Sequence, residues 1–251
     1  MLNNFTYDEY RTLLQRVSAG RDNLCFGDFH KPVAGERFFL LRHDVDYCPD
    51  ISLAMAEVEA GLGIRATYFM LLTSRHYNLL SERYITAPRR LRELGHEVGL
   101  HYDLSVLESI EGLTATEVLL QQAEMLAALA GGAIESIAMH NPSLSGADPF
   151  RQDKRFVNTY HEAFTTDIAY FSDSCGAWRD EAHAILTGPA EAIPQKLQLL
   201  IHPMLWGEEP GTRWDRLSAW QENQQTHCQG SVDRVTDIWR NHSGVAEHDK
   251  R

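Results

Sequence analysis

The stretch Phe38-Phe39-Leu40-Leu41-Arg42-His43-Asp44-Val45-Asp46 decides how the rest of the chain is read. A run of Phe and Leu passes into His-Asp-Val-Asp. Successive apolar side chains on both alternating faces describe a strand buried on both sides, as in a parallel sheet. Charged groups are costly to bury unless paired or bound to a cation, so two carboxylates at the end of such a strand point to a site. Side chains at i and i+2 share a face, which places Asp44 and Asp46 together if the strand geometry persists. Like charges that close raise one another's pKa unless a cation lies between them. One carboxylate as ligand to a divalent metal and the other as general base meets both demands. A capping Asp followed by a solvated loop Asp is the plainer alternative. By the same alternation His43 points away from Asp44 and reads as a packing or supporting group.

Outward from this motif, strands and helices alternate. After the strand at 38–41, Asp50 caps a helix at 51–62 that Gly63 closes. A strand at 65–72 and a helix within 83–94 follow, then a strand at 97–100 running into His101-Tyr102-Asp103. A strongly periodic helix spans 116–129. Three further strands are expected: 134–139, running into His140-Asn141-Pro142; 168–171, running into Ser172-Asp173-Ser174; and 197–201, running into His202-Pro203. Such alternation implies a parallel sheet with helices outside. Polar residues gather at the carboxyl ends of the strands, where α/β barrels and open parallel sheets place their sites. Ahead of the first core strand, 6–18 reads as an amphipathic helix that packs outside as a cap. Thr6 and Glu9 form a capping box there, and Tyr10, Leu13, Leu14 and Val17 form its apolar stripe. Two C-terminal helices are expected at 214–225 and 231–239, and a frayed polar tail after Gly244.

The chain has 251 residues, 43% hydrophobic and 23% charged, which suits one globular domain. The formal charge is −12, with no basic patch, so nucleic acid is not an expected partner. No apolar run approaches the ~18 residues of a membrane span. No basic stretch followed by an apolar one marks a signal peptide at the N-terminus. The four cysteines show no CxxC spacing, so reduced thiols and a cytoplasmic location are the expectation. Cys48 lies near Asp46, but carboxylate sites for hard cations rarely use a thiolate. The motifs GxSxG, GxxxxGK[ST], HExxH and GxGxxG are absent, which removes the usual signatures of serine hydrolases, P-loop proteins, zincins and dinucleotide enzymes.

The strand-end residues supply the remaining candidates. His101 is a candidate metal ligand, and Asp103 two residues on is either its orienting acceptor or a loop cap. His140 is a third ligand or a substrate contact, with Asn141 beside it. His202 can protonate a leaving group or stabilise an oxyanion. Asp173, Trp178, Arg179 and Trp206 are candidate substrate contacts: Arg179 to hold a carboxylate of the substrate or of the base, the tryptophans to stack on a sugar unless they are simply buried.

With these residues in view, the chain resembles the polysaccharide deacetylase superfamily, carbohydrate esterase family 4. The family's first motif, Thr-Phe-Asp-Asp-Gly in most members and Asp-Val-Asp in some, is similar to Asp44-Val45-Asp46. Gly61 to Phe69 resembles its second strand, and Glu93 to His101 the approach to its second motif. Where the family has a second metal histidine, four residues after His101, this chain has Ser105. His140-Asn141-Pro142 takes the place of an Arg-Pro-containing motif, and Leu200-Ile201-His202 matches the last one. The resemblance covers 36–207. It implies a distorted (β/α) barrel, usually seven-stranded, here with an extra N-terminal helix. It also implies one divalent metal, commonly zinc, held by Asp46 and His101 with His140 as the third ligand, Asp44 as base and His202 as acid. The expected activity is hydrolysis of an amide C–N bond, such as deacetylation of an N-acetylated sugar or polysaccharide precursor. The alternatives are a hydrolase of a non-sugar amide and a non-catalytic barrel that binds a glycan or partner.

Overall fold

The apolar run at residue 38 does not stop at Leu41. Every residue from Phe38 to Val45 is buried and extended, so Arg42, His43 and Asp44 lie inside the strand. The computed structural model describes residues 2–30 and 36–242. Its strands are β1 (Asp22–Leu24), β2 (Phe38–Val45), β3 (Thr67–Leu71), β4 (Glu97–Tyr102), β5 (Ser136–Met139), β6 (Val157–Asn158), β7 (Ala169–Ser172) and β8 (Lys196–Ile201). Seven of them form one curled parallel sheet in the order β6-β5-β4-β3-β2-β8-β7, a distorted (β/α) barrel open between β6 and β7. The short β1 pairs with Phe38–Leu40 of β2, on the edge that β3 takes further along, at Arg42–Val45. β8 holds the other edge of β2.

Alternation along the strands separates two cores. Phe39, Leu41, Val45, Tyr68, Met70, Val98, Leu100, Ile137, Leu197, Leu199 and Ile201 pack outward, with the apolar sides of helices Tyr7–Ser18, Pro49–Gly61, Ala87–Glu93 and Ala115–Ala130. Phe38, Leu40, Phe69 and Ala138 point inward with Phe26, Val157, Phe164 and Ile168, and fill the barrel. Arg42 and Asp44 share the parity of Phe38 and Leu40, so they stand above this apolar floor, inside the barrel mouth. The interior is tight. A Cβ at Gly99, two residues before His101 on β4, would lie 2.5 Å from the Phe69 ring.

On the outer face of β2, His43 is stacked on Tyr68 and bonded to Glu59 from helix Pro49–Gly61, with Nε2 to Oε1 at 2.7 Å. The same carboxylate accepts the hydroxyls of Tyr10 at 2.5 Å and Tyr68 at 2.9 Å. One buried acceptor thereby ties the N-terminal helix, a second helix and two central strands together.

Several local expectations are corrected. Asp50 does not cap its helix; the N-cap is Cys48, and Asp50 pairs with Arg83 at 2.6 Å. The capping box at Thr6 is half formed, because the Glu9 carboxylate accepts the Asn4 and Phe5 amides instead of the Thr6 amide. A complete box exists at Thr114–Glu117, with left-handed Gly131 (φ 73°) ending that helix. The two expected C-terminal helices are one, Arg213–His242. β1 and β6 were not expected; they are too short to carry an alternation. The tail after Gly244 lies outside the described residues. Among those described, no helix is long and apolar enough to cross a membrane.

Candidate functional site

Asp44 is held from its own strand. Arg42 Nε and Nη2 donate to Asp44 Oδ1 and Oδ2 at 2.7 and 2.8 Å, a two-pronged pair with both partners buried. Arg42 in turn bonds Thr159 Oγ1 at 3.2 Å and Tyr160 Oη at 3.3 Å, and its guanidinium lies over the rings of Phe69 and Tyr160. Burial alone would raise the Asp44 pKa. Arg42, with His101 and His202 nearby, outweighs that and lowers it, so Asp44 is an anion at neutral pH.

Asp46, just past the end of β2, meets two imidazoles. One oxygen or nitrogen from each of Asp46, His101 and His140 falls within 4.8 Å of the others, a spacing able to hold a metal ion. Asp46 Oδ1 is 3.4 Å from His101 Nε2 and 3.9 Å from His140 Nε2, and it is buried with no hydrogen-bond partner. His101 Nδ1 lies 2.8 Å from the Ala138 carbonyl, which can only accept, so Nδ1 carries a proton and Nε2 is the atom turned toward Asp46. Asp44 and Asp46 raise the His101 pKa against its burial, and a cation would take the place of the Nε2 proton between the ring and the orphaned Asp46 oxygen, a donor set that fits a divalent metal. Burial opposes the Asp46 charge, but His101, His202 and His140 hold its pKa well below the usual carboxylate range. His140 is less enclosed. Its Nδ1 is 3.5 Å from Asp103 Oδ2, and the exposed Asn141 amide lies 3.0 Å from its Nε2, where it competes for the same lone pair.

His202 enters from the other side of β2, through β8. Asp173, fully buried at the end of β7, accepts the His202 backbone amide at 3.0 Å and His202 Nδ1 at 2.7 Å. Its other oxygen accepts Trp206 Nε1 at 2.9 Å. Burial disfavours imidazolium, but Asp173, Asp44 and Asp46 outweigh it and push the His202 pKa up to about 9. His202 is therefore protonated at neutral pH, with Nδ1 committed to Asp173. Asp44, Asp46 and His202 line one cavity of about 190 Å³, completed by Val45, Tyr47, Cys48, Met204, Leu205 and, from the C-terminal helix, Arg213 and Leu217.

The remaining expectations fall elsewhere. Asp173 cannot be a substrate contact, since its oxygens are consumed by His202 and Trp206. Trp206 is 1% exposed, packed against Phe5 and Tyr10 behind the site, and presents no face to a sugar. Trp178 belongs to the outer core. Arg179 is exposed on a neighbouring surface hollow; the arginine that holds Asp44 is Arg42. Asp103 caps helix Leu104–Leu107 and faces His140, not His101. Asn141, in a left-handed conformation with φ 47°, lines a second hollow with Asp103 and Ser105, whose hydroxyl is bonded to Asp103. Arg42 was overlooked, although its signal was present: a cation two residues before Asp44 in an apolar strand must share its face and needs a partner there.

No family model matches this chain, and no curated protein matches it. Solved structures similar to it include the following two. One is a family 4 carbohydrate esterase from Bacillus anthracis, 13% identical, with 86% of each chain covered and a TM-score of 0.42. The other is a mutant of a CE4 family pseudoenzyme with restored enzymatic activity, 14% identical, covering 75% of this chain and 64% of that one, with a TM-score of 0.45.

Proposed function

We propose that this protein is a metal-dependent hydrolase of an amide, with an N-acetylated sugar or polysaccharide precursor as the substrate class that its resemblance to carbohydrate esterase family 4 implies. The observation that carries this reading is the meeting, at one barrel mouth, of the Asp46–His101–His140 cluster with an ionised Asp44 and a protonated His202. Asp46, His101 and His140 would hold the cation, and zinc suits such an oxygen-and-nitrogen donor set. When bound, a divalent cation polarises a carbonyl and makes water a stronger acid. Asp44 accepts the proton of the attacking water, oriented for this by the Arg42 fork. His202 returns a proton from Nε2 to the leaving amine, because Asp173 holds Nδ1 and fixes the ring.

The test is acetate release from N-acetylated mono- and oligosaccharides by the zinc-loaded protein, compared with Asp46→Ala. Turnover that disappears in Asp46→Ala supports the reading. Turnover unchanged in that variant, or no release from any substrate by the zinc-loaded wild type, overturns it.

A further inference from the structure

We infer that the substrate of this cavity carries an anionic group, a carboxylate or phosphate, and that Arg213 receives it. The inference rests on the reading of the cavity as the substrate site. It adds a specificity-determining residue on the C-terminal helix.

The argument begins with the charges on the cavity wall. Arg42 and Asp44 neutralise each other, and His202 is matched by Asp173. Arg213 also lines the cavity, and among the described residues no carboxylate pairs with it. Its position is nevertheless built. Nη1 donates to the Cys175 carbonyl, and the guanidinium carbon lies 4.9 Å from the centre of the Trp214 ring. The aliphatic stem packs on Gly176, where an added Cβ would lie 2.7 Å from Arg213 Cβ. Gly176 also has φ 70°, so both its backbone conformation and the packed stem call for glycine there. Arg213 begins helix Arg213–His242, where the helix dipole disfavours a cation and favours an acid. That preference is met by Asp215, which accepts the Thr212 amide and hydroxyl at 2.7 Å each. The arginine two residues earlier works against local helix stability, and its charge meets only the Trp214 ring and the Cys175 carbonyl, with no carboxylate to neutralise it among the described residues. Arg213 is exposed at the rim of the cavity, and the one hydrogen bond its side chain makes among the described residues is from Nη1 to the Cys175 carbonyl; a guanidinium so placed, with donors uncommitted, suits a planar or tetrahedral oxyanion. The cavity is small, so the anion lies on the substrate portion close to the scissile amide.

Two matched pairs test this by calorimetric titration of the zinc-loaded protein: N-acetylglycine against N-acetylglycinamide, and N-acetylmuramic acid against N-acetylglucosamine. At least one anionic member should bind fivefold or more tighter than its neutral partner. That preference should fall below twofold in Arg213→Gln and persist in Arg213→Lys. A wild-type preference below fivefold in both pairs, or one that survives Arg213→Gln, overturns the assignment. Thermal unfolding of Arg213→Gln checks that the variant is folded, and Arg213→Lys carries the same test by charge retention. Acetate release is scored separately. Lost preference with intact turnover removes the anion assignment alone, and intact preference without turnover removes only the hydrolase reading.

Discussion

Arg42 and Asp44 stand two residues apart on one strand and grip each other through two parallel hydrogen bonds of 2.7 and 2.8 Å inside the barrel. Because i and i+2 face the same way, the strand alone brings them together. The surrounding sheet removes the water that would otherwise weaken the pair. Breaking such a pair leaves an uncompensated buried charge, which costs about 3–5 kcal/mol. Arg42→Met should therefore lower unfolding stability in urea by that order. The double variant Arg42→Met/Asp44→Asn should recover part of the loss, since no lone charge remains. A double variant less stable than the sum of the two single changes would contradict the pairing.

The Asp46–His101–His140 cluster makes a prediction about metal content. Asp46→Ala and His101→Ala should each lose stoichiometric zinc, measured by elemental analysis after dialysis, with the far-ultraviolet spectrum unchanged. His140→Ala, which removes the least enclosed member, should weaken zinc binding by a smaller factor than either. Full occupancy in Asp46→Ala would remove Asp46 from the ligand set.

Proton transfer separates from metal binding. Asp44→Asn and His202→Ala should each reduce acetate release by roughly 10²–10⁴-fold while retaining zinc, the usual loss when a general base or acid is removed. Loss of zinc in Asp44→Asn would instead make Asp44 a ligand.

The His202–Asp173 pair sets a pH dependence in the metal-free protein. The folded pKa, about 9, lies above the ~6.5 of an unfolded histidine. A raised folded pKa contributes stability that is fully present below pH ~6.5 and is lost as pH rises through 9. Urea midpoints should therefore fall between those limits. Asp173, Asp44 and Asp46 are the carboxylates that favour the charged ring, and His101, raised by Asp44 and Asp46 against its burial, adds to the slope. Asp173→Asn should flatten the part due to His202. An unchanged slope in that variant would refute the coupling.

Glu59 is the acceptor that fastens the N-terminal helix to the sheet. Glu59→Leu strands the hydroxyl of Tyr68 and leaves Tyr10 Oη and His43 Nε2, 3.2 Å apart, with only each other, at about 1–3 kcal/mol for a buried donor left unpaired. A loss of at least about 1 kcal/mol is expected in urea. Glu59→Gln, which keeps an acceptor oxygen, should lose less.

Much of the architecture was legible in the chain because it depends on periodicity. The run at residue 38 and the alternation of apolar strands with amphipathic helices are local patterns, and they imply a parallel sheet with helices outside and polar residues at the carboxyl ends of its strands. The same reasoning located Asp44, Asp46, His101, His140 and His202, since each follows or ends an apolar strand. It failed where a role depends on a partner distant in sequence. Asp173 and Trp206 resemble exposed, chemically useful residues until the closure of β7 against β8 buries them under His202. Arg179 was named as the holder of a carboxylate and Arg42 was overlooked, although the i,i+2 alternation of β2 alone places Arg42 beside Asp44.

By itself, then, the sequence determined which side chains alternate inward and outward and which ones arrive at the strand ends, because φ/ψ periodicity and hydrophobic burial act over a few residues. Only the tertiary structure decided how those strand-end groups are paired and what walls the cavity around them. Hydrogen bonds and Coulombic pairing depend on distance in space, and the barrel's curvature together with the C-terminal helix brings Asp46 to His101, Asp173 to His202 and Arg213 to the cavity edge across gaps of 29 residues and more along the chain.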